Sequence, residues 1–359
     1  MNKGTGFILV LGVLAFAGAW HFQRRAPETP SVAPPPPAPS KDEGRFAAYQ
    51  AQLDTLATVD DATVLYRESE PVDLPGLESL RAIAVDAEDH LYAGGGSNVL
   101  VLSAAGEVLR RLAVDGEVSC LAVDGKGRLY VGLGSAVHSF EADGRRGAVF
   151  EELGDAALVT SISATEKDVF VADARSRVVA RYAPEGACRL TIDGRVAGED
   201  ETGFVVPSPC FDIMLGEGSV LWVVNPGHRR LEAYDFDGVR IDAWDDLSGA
   251  GIEHFCGCCN PSHVARRRDG AIVTAEKGFR RVKVYTRRGQ FLGVVAGPDS
   301  FADHEATLDI AVDSRDRVLV ADPARVQIRV FESRSEGEPA EAVSSGHSND
   351  ANLSMIEAE

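Results

Sequence analysis

The sequence predicts an all-β protein folded as a six-bladed β-propeller, on three observations. A strand-like unit recurs six times, at Ile83-Ala84-Val85-Asp86, Leu121-Ala122-Val123-Asp124, Ile162-Ser163-Ala164, Ile213-Met214-Leu215, Val264-Ala265-Arg266 and Ile310-Ala311-Val312-Asp313. The units are spaced by roughly 40 to 50 residues, the period of propeller blades. Between them run short alternating apolar stretches with Gly and Asp turns and no amphipathic helical pattern.

Composition is compatible with that reading. The 359 residues are 45% hydrophobic and 25% charged, an ordinary balance for a chain that buries a large core. Fifty-five acidic residues against 36 basic ones leave a formal charge of −19. A field of that sign repels phosphate backbones, which argues against nucleic acid as a partner. Six cysteines are too few for a disulfide-built scaffold, so apolar packing must supply the core.

The first element, residues 1–25, is expected to be a signal anchor or signal peptide. Phe7 to Trp20 is uncharged and apolar, but shorter than the roughly 20 residues of a full span. Ala17-Gly18-Ala19 offers a cleavage pattern, whereas continuation through Trp20 and Phe22 to Arg24-Arg25 fits a retained anchor. A retained segment would hold the domain on the inner membrane, facing the periplasm or the exterior. Cleavage would release it as a secreted protein. The second element, 26–60, contains the stretch from Pro27 to Ser40, which reads as a semi-rigid polyproline linker. The propeller is expected over 61–333. The tail, 334–359, is rich in Ser, Glu and Gly without an apolar period, the signature of disorder.

Within the body, each repeat continues into a second strand (LYAGG, LYVGL, VFVAD, LWVVN, IVTAE, VLVAD) and then a third, such as Val178 to Tyr182, Arg230 to Tyr234, Arg281 to Tyr285 and Gln327 to Phe331. A Gly turn and a fourth strand follow in most, as at Gly238 before Val239–Trp244 and Gly289 before Gln290–Ala296. The last blade lacks a fourth strand before the tail. Ala62 to Arg67, which precedes the first blade, is expected to supply it and close the ring without an open sheet edge.

Asn225-Pro-Gly-His-Arg-Arg-Leu-Glu-Ala-Tyr, Glu276-Lys-Gly-Phe-Arg-Arg-Val-Lys-Val-Tyr and Asp322-Pro-Ala-Arg-Val-Gln-Ile-Arg-Val-Phe resemble NHL repeats. The resemblance covers roughly residues 62 to 332 and implies a six-bladed propeller. It is weakest in the first two blades, where Gly94-Gly95-Gly96 and Gly132-Leu133-Gly134 replace the polar-basic turn. NHL-like propellers include lyases, and six-bladed relatives include metal-dependent hydrolases, so the resemblance implies a fold more than an activity.

In a propeller, the loops joining blades and the turns joining second to third strands emerge on one face. Candidates for a binding face there are Asp173 with Arg175, Asn225 with His228, Glu276 with Lys277, Asp322 and His304. His228 also has a plain role in holding its turn. Aligning the first strands gives a column, Ala82, Cys120, Ser161, Asp212, His263 and Asp309, from which Asp212, His263 and Asp309 are expected to converge at the channel mouth. A polar channel that simply holds water is the competing reading.

The fourth-to-fifth blade loop carries His254-Phe-Cys256-Gly-Cys258-Cys259-Asn-Pro. Three thiols flanked by His254 and followed by His263 are soft ligands for zinc or copper(I), although C-x-C is not the usual zinc spacing. A divalent metal or copper, held by Cys256, Cys258, Cys259, His254, His263, Asp212 and Asp309, is therefore one candidate. A disulfide, including one from Cys256 or Cys259 to Cys210, and a redox-active thiol are the others. Walker-type, HExxH and G-x-S-x-G motifs are absent from the sequence. These observations suggest a membrane-tethered extracytoplasmic binding or scaffold module taking a protein or small molecule on its top face. A metal- or thiol-dependent lyase, hydrolase or redox protein is the alternative.

Overall fold

In a computed structural model, the chain is described over residues 57–196, 198, 202–244, 247, 249, 251–257, 259–301 and 307–334. The expected signal or anchor, most of the linker, the tail from 335, Cys258 and His304 lie outside the described residues. Among the described residues, no helix is long and apolar enough to cross a membrane.

The described strands form six antiparallel sheets of four. Strand β1 (Tyr66–Asp73) precedes the first blade, which holds β2 (Ala82–Val85), β3 (Leu91–Gly95), β4 (Asn98–Leu102) and β5 (Val108–Ala113). The second blade holds β6 (Val118–Val123), β7 (Leu129–Leu133), β8 (Ala136–Phe140) and β9 (Arg146–Val149). The third is β10 (Val159–Ala164), β11 (Val169–Asp173), β12 (Val178–Tyr182) and β13 (Cys188–Ile192). The fourth is β14 (Ile213–Leu215), β15 (Val220–Asn225), β16 (Arg230–Asp235) and β17 (Arg240–Ala243). The fifth is β18 (His263–Arg266), β19 (Ile272–Ala275), β20 (Val282–Tyr285) and β21 (Phe291–Ala296). The sixth combines β22 (Ile310–Val312), β23 (Val318–Asp322) and β24 (Gln327–Ser333) with β1 at its outer edge. The first strands touch in a closed cycle, β2 to β6, β10, β14, β18, β22 and back to β2, so the sheets surround one axis.

The second strands are buried on both faces, which explains their continuous apolar runs: VFVAD in β11 and VLVAD in β23 are buried at every position. Apolar clusters form between neighbouring blades. In one, Trp222 of β15 and Trp244 meet Ile272 and Tyr285 of the next sheet.

The strand beside β24 is displaced from the expected Ala62–Arg67. Ala62 and Thr63 belong to a 3-10 turn, Asp61–Thr63, and Val64 only bridges Val294 of β21. The pairing strand starts at Tyr66, because its anchors lie further on. Tyr66 is buried, its hydroxyl accepts from Arg267 Nη1 at 2.8 Å, and Glu68 accepts from Arg329 Nε at 2.7 Å. Register slips between Ser69 and Val72, around Pro71, which has no N–H to offer the ladder.

The weak match of the first two blades to the later repeats also has a structural cause. In blades three, four and six, four residues join the second and third strands, and the fourth of them, Arg177, Arg229 or Val326, takes a left-handed conformation; in blade five six residues join them, and Arg280 takes that conformation. In the first two blades the hairpins have two-residue loops, Gly96-Ser97 and Gly134-Ser135, with the glycines at positive φ. Gly95 stands where Asp173 stands in the third blade, and a Cβ there would lie 1.9 Å from the Ser79 carbonyl oxygen. The close passage of the preceding loop excludes a polar anchor at this position.

Candidate functional site

The six first strands enclose an axial cavity of about 230 Å³. Its wall includes Arg81, Cys120, Ser161, Cys210, Asp212, His263 and Asp309, so five members of the expected column meet there. Ala82 is displaced from the lining by its neighbours Arg81 and Ile83. Arg81 was missed from sequence, and Cys210 was read there only as a disulfide partner, because both precede the aligned strands.

The column also braces the ring. Ser161 Oγ accepts from Ile213 N at 3.2 Å, Asp212 Oδ2 accepts from Val264 N at 2.7 Å, and Asp309 Oδ2 accepts from Ile83 N at 2.8 Å. Each side chain thus satisfies the backbone of the next blade's first strand. Sequence alignment finds the column but not this use, since the acceptor of one blade and the donor of the next are about 50 residues or more apart.

Electrostatics in the cavity follow from burial. Desolvation pushes Asp212 up to about 6, against hydrogen bonds from Ser161, Val264 and Ile213 that favour its charged form. Desolvation and then the charge of Asp212 push Asp309 up to about 7. Burial, reinforced by the Arg81 guanidinium, holds His263 down to about 3, so its imidazole is neutral at physiological pH. Burial drives the Cys120 thiol up to about 12, which leaves it protonated. The wall therefore offers a cation, a neutral imidazole, hydroxyl and thiol groups, and a carboxyl that titrates near neutrality.

Cys258, one of the expected metal ligands, lies outside the described residues, and the described ones are spread over separate places. Among the described residues, the only group of three or more His, Cys, Asp or Glu with ligand atoms within 4.8 Å of one another is Asp86, Glu88 and His90. No such group includes Cys256, Cys259, His254, His263, Asp212 or Asp309. Asp86 itself is occupied as a turn cap: Oδ1 accepts from the Glu88 and His90 N–H groups, and Oδ2 meets His90 Nδ1 at 2.9 Å and accepts from the Tyr92 hydroxyl at 3.1 Å. Asp124 caps the corresponding turn of the second blade in the same way, with Lys126, Arg128 and Tyr130 as partners.

The cysteine loop is a packing element around a buried cation. Lys283 is fully buried and its Nζ donates to the carbonyls of Ile252 at 3.0 Å and His254 at 2.8 Å. The ammonium also lies 4.8 Å from the Phe255 ring centroid. Burial depresses Lys283 to about 8, opposed by the carboxylate of Glu276. Glu276 accepts from Arg281 Nε at 2.6 Å and faces Lys283 Nζ at 3.4 Å. The Cys256 thiol donates to the Gly249 carbonyl at 3.5 Å, and His254 Nδ1 lies 3.2 Å from Glu253. Sequence reasoning passed over Arg281 and Lys283, although two basic residues inside an apolar strand five and seven residues after a Glu are a visible signal.

The residues expected on a binding face are mostly turned inward. Asp173, Asn225, Glu276 and Asp322 are buried. Asp173 Oδ1 accepts from the N–H groups of Leu158, Arg175 and Ser176. Asn225 accepts from Val205 N at 3.0 Å and donates to Glu232 at 3.0 Å. Asp322 accepts from Ala324 N, Arg325 N and the Arg325 guanidinium. Arg175 is exposed, His228 is half-buried in the 3-10 turn Pro226–His228, and Lys277 Nζ donates to Ser208 Oγ at 2.7 Å. Asp173 and Asn225 therefore fasten the loops entering their blades, and Asp322 caps its own turn.

Comparison with solved structures gives propellers. A streptogramin B lyase structure is similar at 12% identity and a TM-score of 0.52, over 75% of this chain and 98% of that one. A catalytically inactive virginiamycin B lyase from Staphylococcus aureus with quinupristin is similar at 11% identity and a TM-score of 0.54, over 75% of this chain and all of that one, 100%. The WD40 propeller domain of Doa1 follows at 14% identity and a TM-score of 0.51, over 71% and 79%. The likeness is one of fold. No family model matches the chain, and no curated protein does.

Proposed function

We propose that this protein is a binding module held outside the cytoplasm, whose six-bladed propeller takes a small polar ligand in the axial cavity. The carrying observation is the convergence of Arg81, Ser161, Asp212, His263 and Asp309 on one space lined by all six first strands. Convergent polar groups in a concave site are the usual form of a ligand pocket. At about 230 Å³ the space is smaller than the roughly 300–1,000 Å³ of drug-sized sites, which limits the ligand to metabolite size. The uncharged run from Phe7 to Trp20 and the proline-rich stretch from Pro27 to Ser40 support export and tethering. The turn residues around Asn225, Glu276 and Asp322 support kinship with NHL repeats.

The test is a thermal-shift screen of the full chain against small acids, amines, sugars and divalent cations, run beside Ser119→Trp, which fills the cavity wall. A probe that raises Tm in the native chain and leaves the variant unmoved supports the reading. A screen without any shift, or a shift of equal size in the plugged variant, refutes it. Cell fractionation tests the tether separately: a chain found entirely in the cytoplasm overturns export.

Catalysis in the same cavity is the second reading. It is favoured by Asp309, whose carboxyl, pushed up to about 7, can take or give a proton near neutral pH. Two of the structurally similar proteins are lyases, which places a lyase assay first. Turnover that disappears in Asp309→Asn supports this reading, and turnover unaffected by that change removes it. Metal content of the chain purified without chelator, compared between the native protein and His263→Ala, decides whether a metal takes part.

A further inference from the structure

Cys210 and Cys259 lie in successive inter-blade loops, one entering the fourth blade two residues before Asp212 and the other entering the fifth blade four residues before His263. Lys277 fastens the two loops together. Its Nζ donates to Ser208 Oγ at 2.7 Å, its N–H donates to Asn260 Oδ1 at 2.9 Å, and its carbonyl accepts from Asn260 Nδ2 at 3.1 Å. Ser208 is two residues before Cys210, whose own N–H donates to the Ser208 carbonyl at 2.6 Å, and Asn260 directly follows Cys259. Both cysteines are buried thiols in this structure, and Cys210 reaches the cavity wall.

The remaining described cysteines are placed elsewhere. Cys120 belongs to the second blade's first strand, Cys188 is exposed on the outermost strand of the third blade, and the Cys256 thiol donates to Gly249 beside the Lys283 cluster. From this arrangement we infer that Cys210 and Cys259 are a redox pair, which a small disulfide reaching the cavity oxidises to a cross-link between the two loops. The inference is independent of what the cavity binds.

The chemistry is thiol–disulfide exchange. Cys210 is the entering nucleophile because it lines the cavity that the donor reaches, whereas Cys259 lies in the loop behind it. The Cys210 thiolate attacks one sulfur of a donor disulfide, forms a mixed disulfide and expels one donor thiolate. The Cys259 thiolate then attacks Cys210 Sγ, closes the protein disulfide and expels the second donor thiolate. Two electrons pass to the donor, and the two protons released by the cysteines end on its two thiols. The product ties the loops at either end of the fourth blade and fixes the cavity wall at Cys210.

The experiment treats the full chain with cystamine or with dithiothreitol, alkylates free thiols and maps tryptic peptides without reduction. The oxidised chain is expected to join peptide 196–229, which carries Cys210, to peptide 241–266, which carries Cys256, Cys258 and Cys259. Fragmentation should place the bond on Cys259. The link should survive in Cys256→Ser and vanish in Cys259→Ser. Oxidation should raise Tm by about 5–10 °C in the native chain and leave Cys210→Ser unchanged. Full alkylation of Cys210 after cystamine treatment, or a bond from Cys210 to Cys256 or Cys258, overturns the assignment. Either failure leaves the ligand reading of the cavity untouched.

Discussion

The carboxylate of Asp309, one residue ahead of the sixth blade's first strand, accepts the backbone N–H of Ile83 in the first blade at 2.8 Å. This bond joins the two ends of the repeat series. It also fixes a titratable group in the cavity wall, so the closure of the ring and the electrostatics of the cavity share one residue.

Asp309→Asn keeps an acceptor for Ile83 and removes the titration. A carboxyl raised in the folded state to about 7 contributes no penalty below the unfolded value near 4. As pH rises towards 7, the native chain loses stability relative to the variant, and above 7 the difference is constant. The change should be about 1–3 kcal/mol, less than full conversion of the shift because the group opens partly to the cavity. His263, held down to about 3, acts in the opposite direction between about pH 3 and 6.5, but it is present in both proteins and cancels. Urea unfolding at pH 4, 5.5, 7 and 8 checks this; a difference that does not move with pH contradicts it.

Removing the carboxylate that faces Arg281 and Lys283 should be severe. Glu276→Ala leaves two buried cations without it, a change that typically costs about 3–5 kcal/mol. Glu276→Gln, which keeps hydrogen bonding but not charge, should lie between that variant and the native chain. Denaturant midpoints of the three proteins give the order.

Gly95→Ala should destabilise by about 1–3 kcal/mol or more, because its Cβ would meet the Ser79 carbonyl oxygen at 1.9 Å and the strand must move. Gly134→Asn is the control. It has open space and a left-handed φ of 66°, which Asn tolerates, and should cost less than about 1 kcal/mol. Equal losses in the two variants would count against steric exclusion at Gly95.

Deleting residues before Pro75 removes β1 and exposes β24, the strand that carries Ile328 and Val330. An unpaired edge of this kind templates association. The truncated chain should therefore aggregate or dimerise in light scattering under conditions where the full chain is monodisperse. Arg329→Ala, which breaks the pair with Glu68, should weaken the same pairing without abolishing it.

Much of the architecture is visible in local pattern. The doubly buried second strands, such as Val169-Phe-Val-Ala-Asp173, announce themselves as apolar runs, and the Asp-turn-Tyr units at Asp86 and Asp124 mark hairpins through bonds only a few residues long. The displacement of the closing strand was partly readable too, since Pro71 signals an edge position and a bulge. What misled the reading was chemistry taken residue by residue. Asp173, Asn225 and Asp322 look like surface ligands until their backbone donors from the turns and inter-blade loops are known.

By itself the sequence determined the period, the number of blades and the column through Cys120, Ser161, Asp212, His263 and Asp309, because these depend on spacing along one strand type. Only the tertiary structure decided how that column is spent, which loops touch, and that the cysteine loop wraps Lys283. Those outcomes depend on contacts between residues tens to hundreds of positions apart. Local periodicity specifies which side of a strand is buried, but carries no term for the neighbour that buries it.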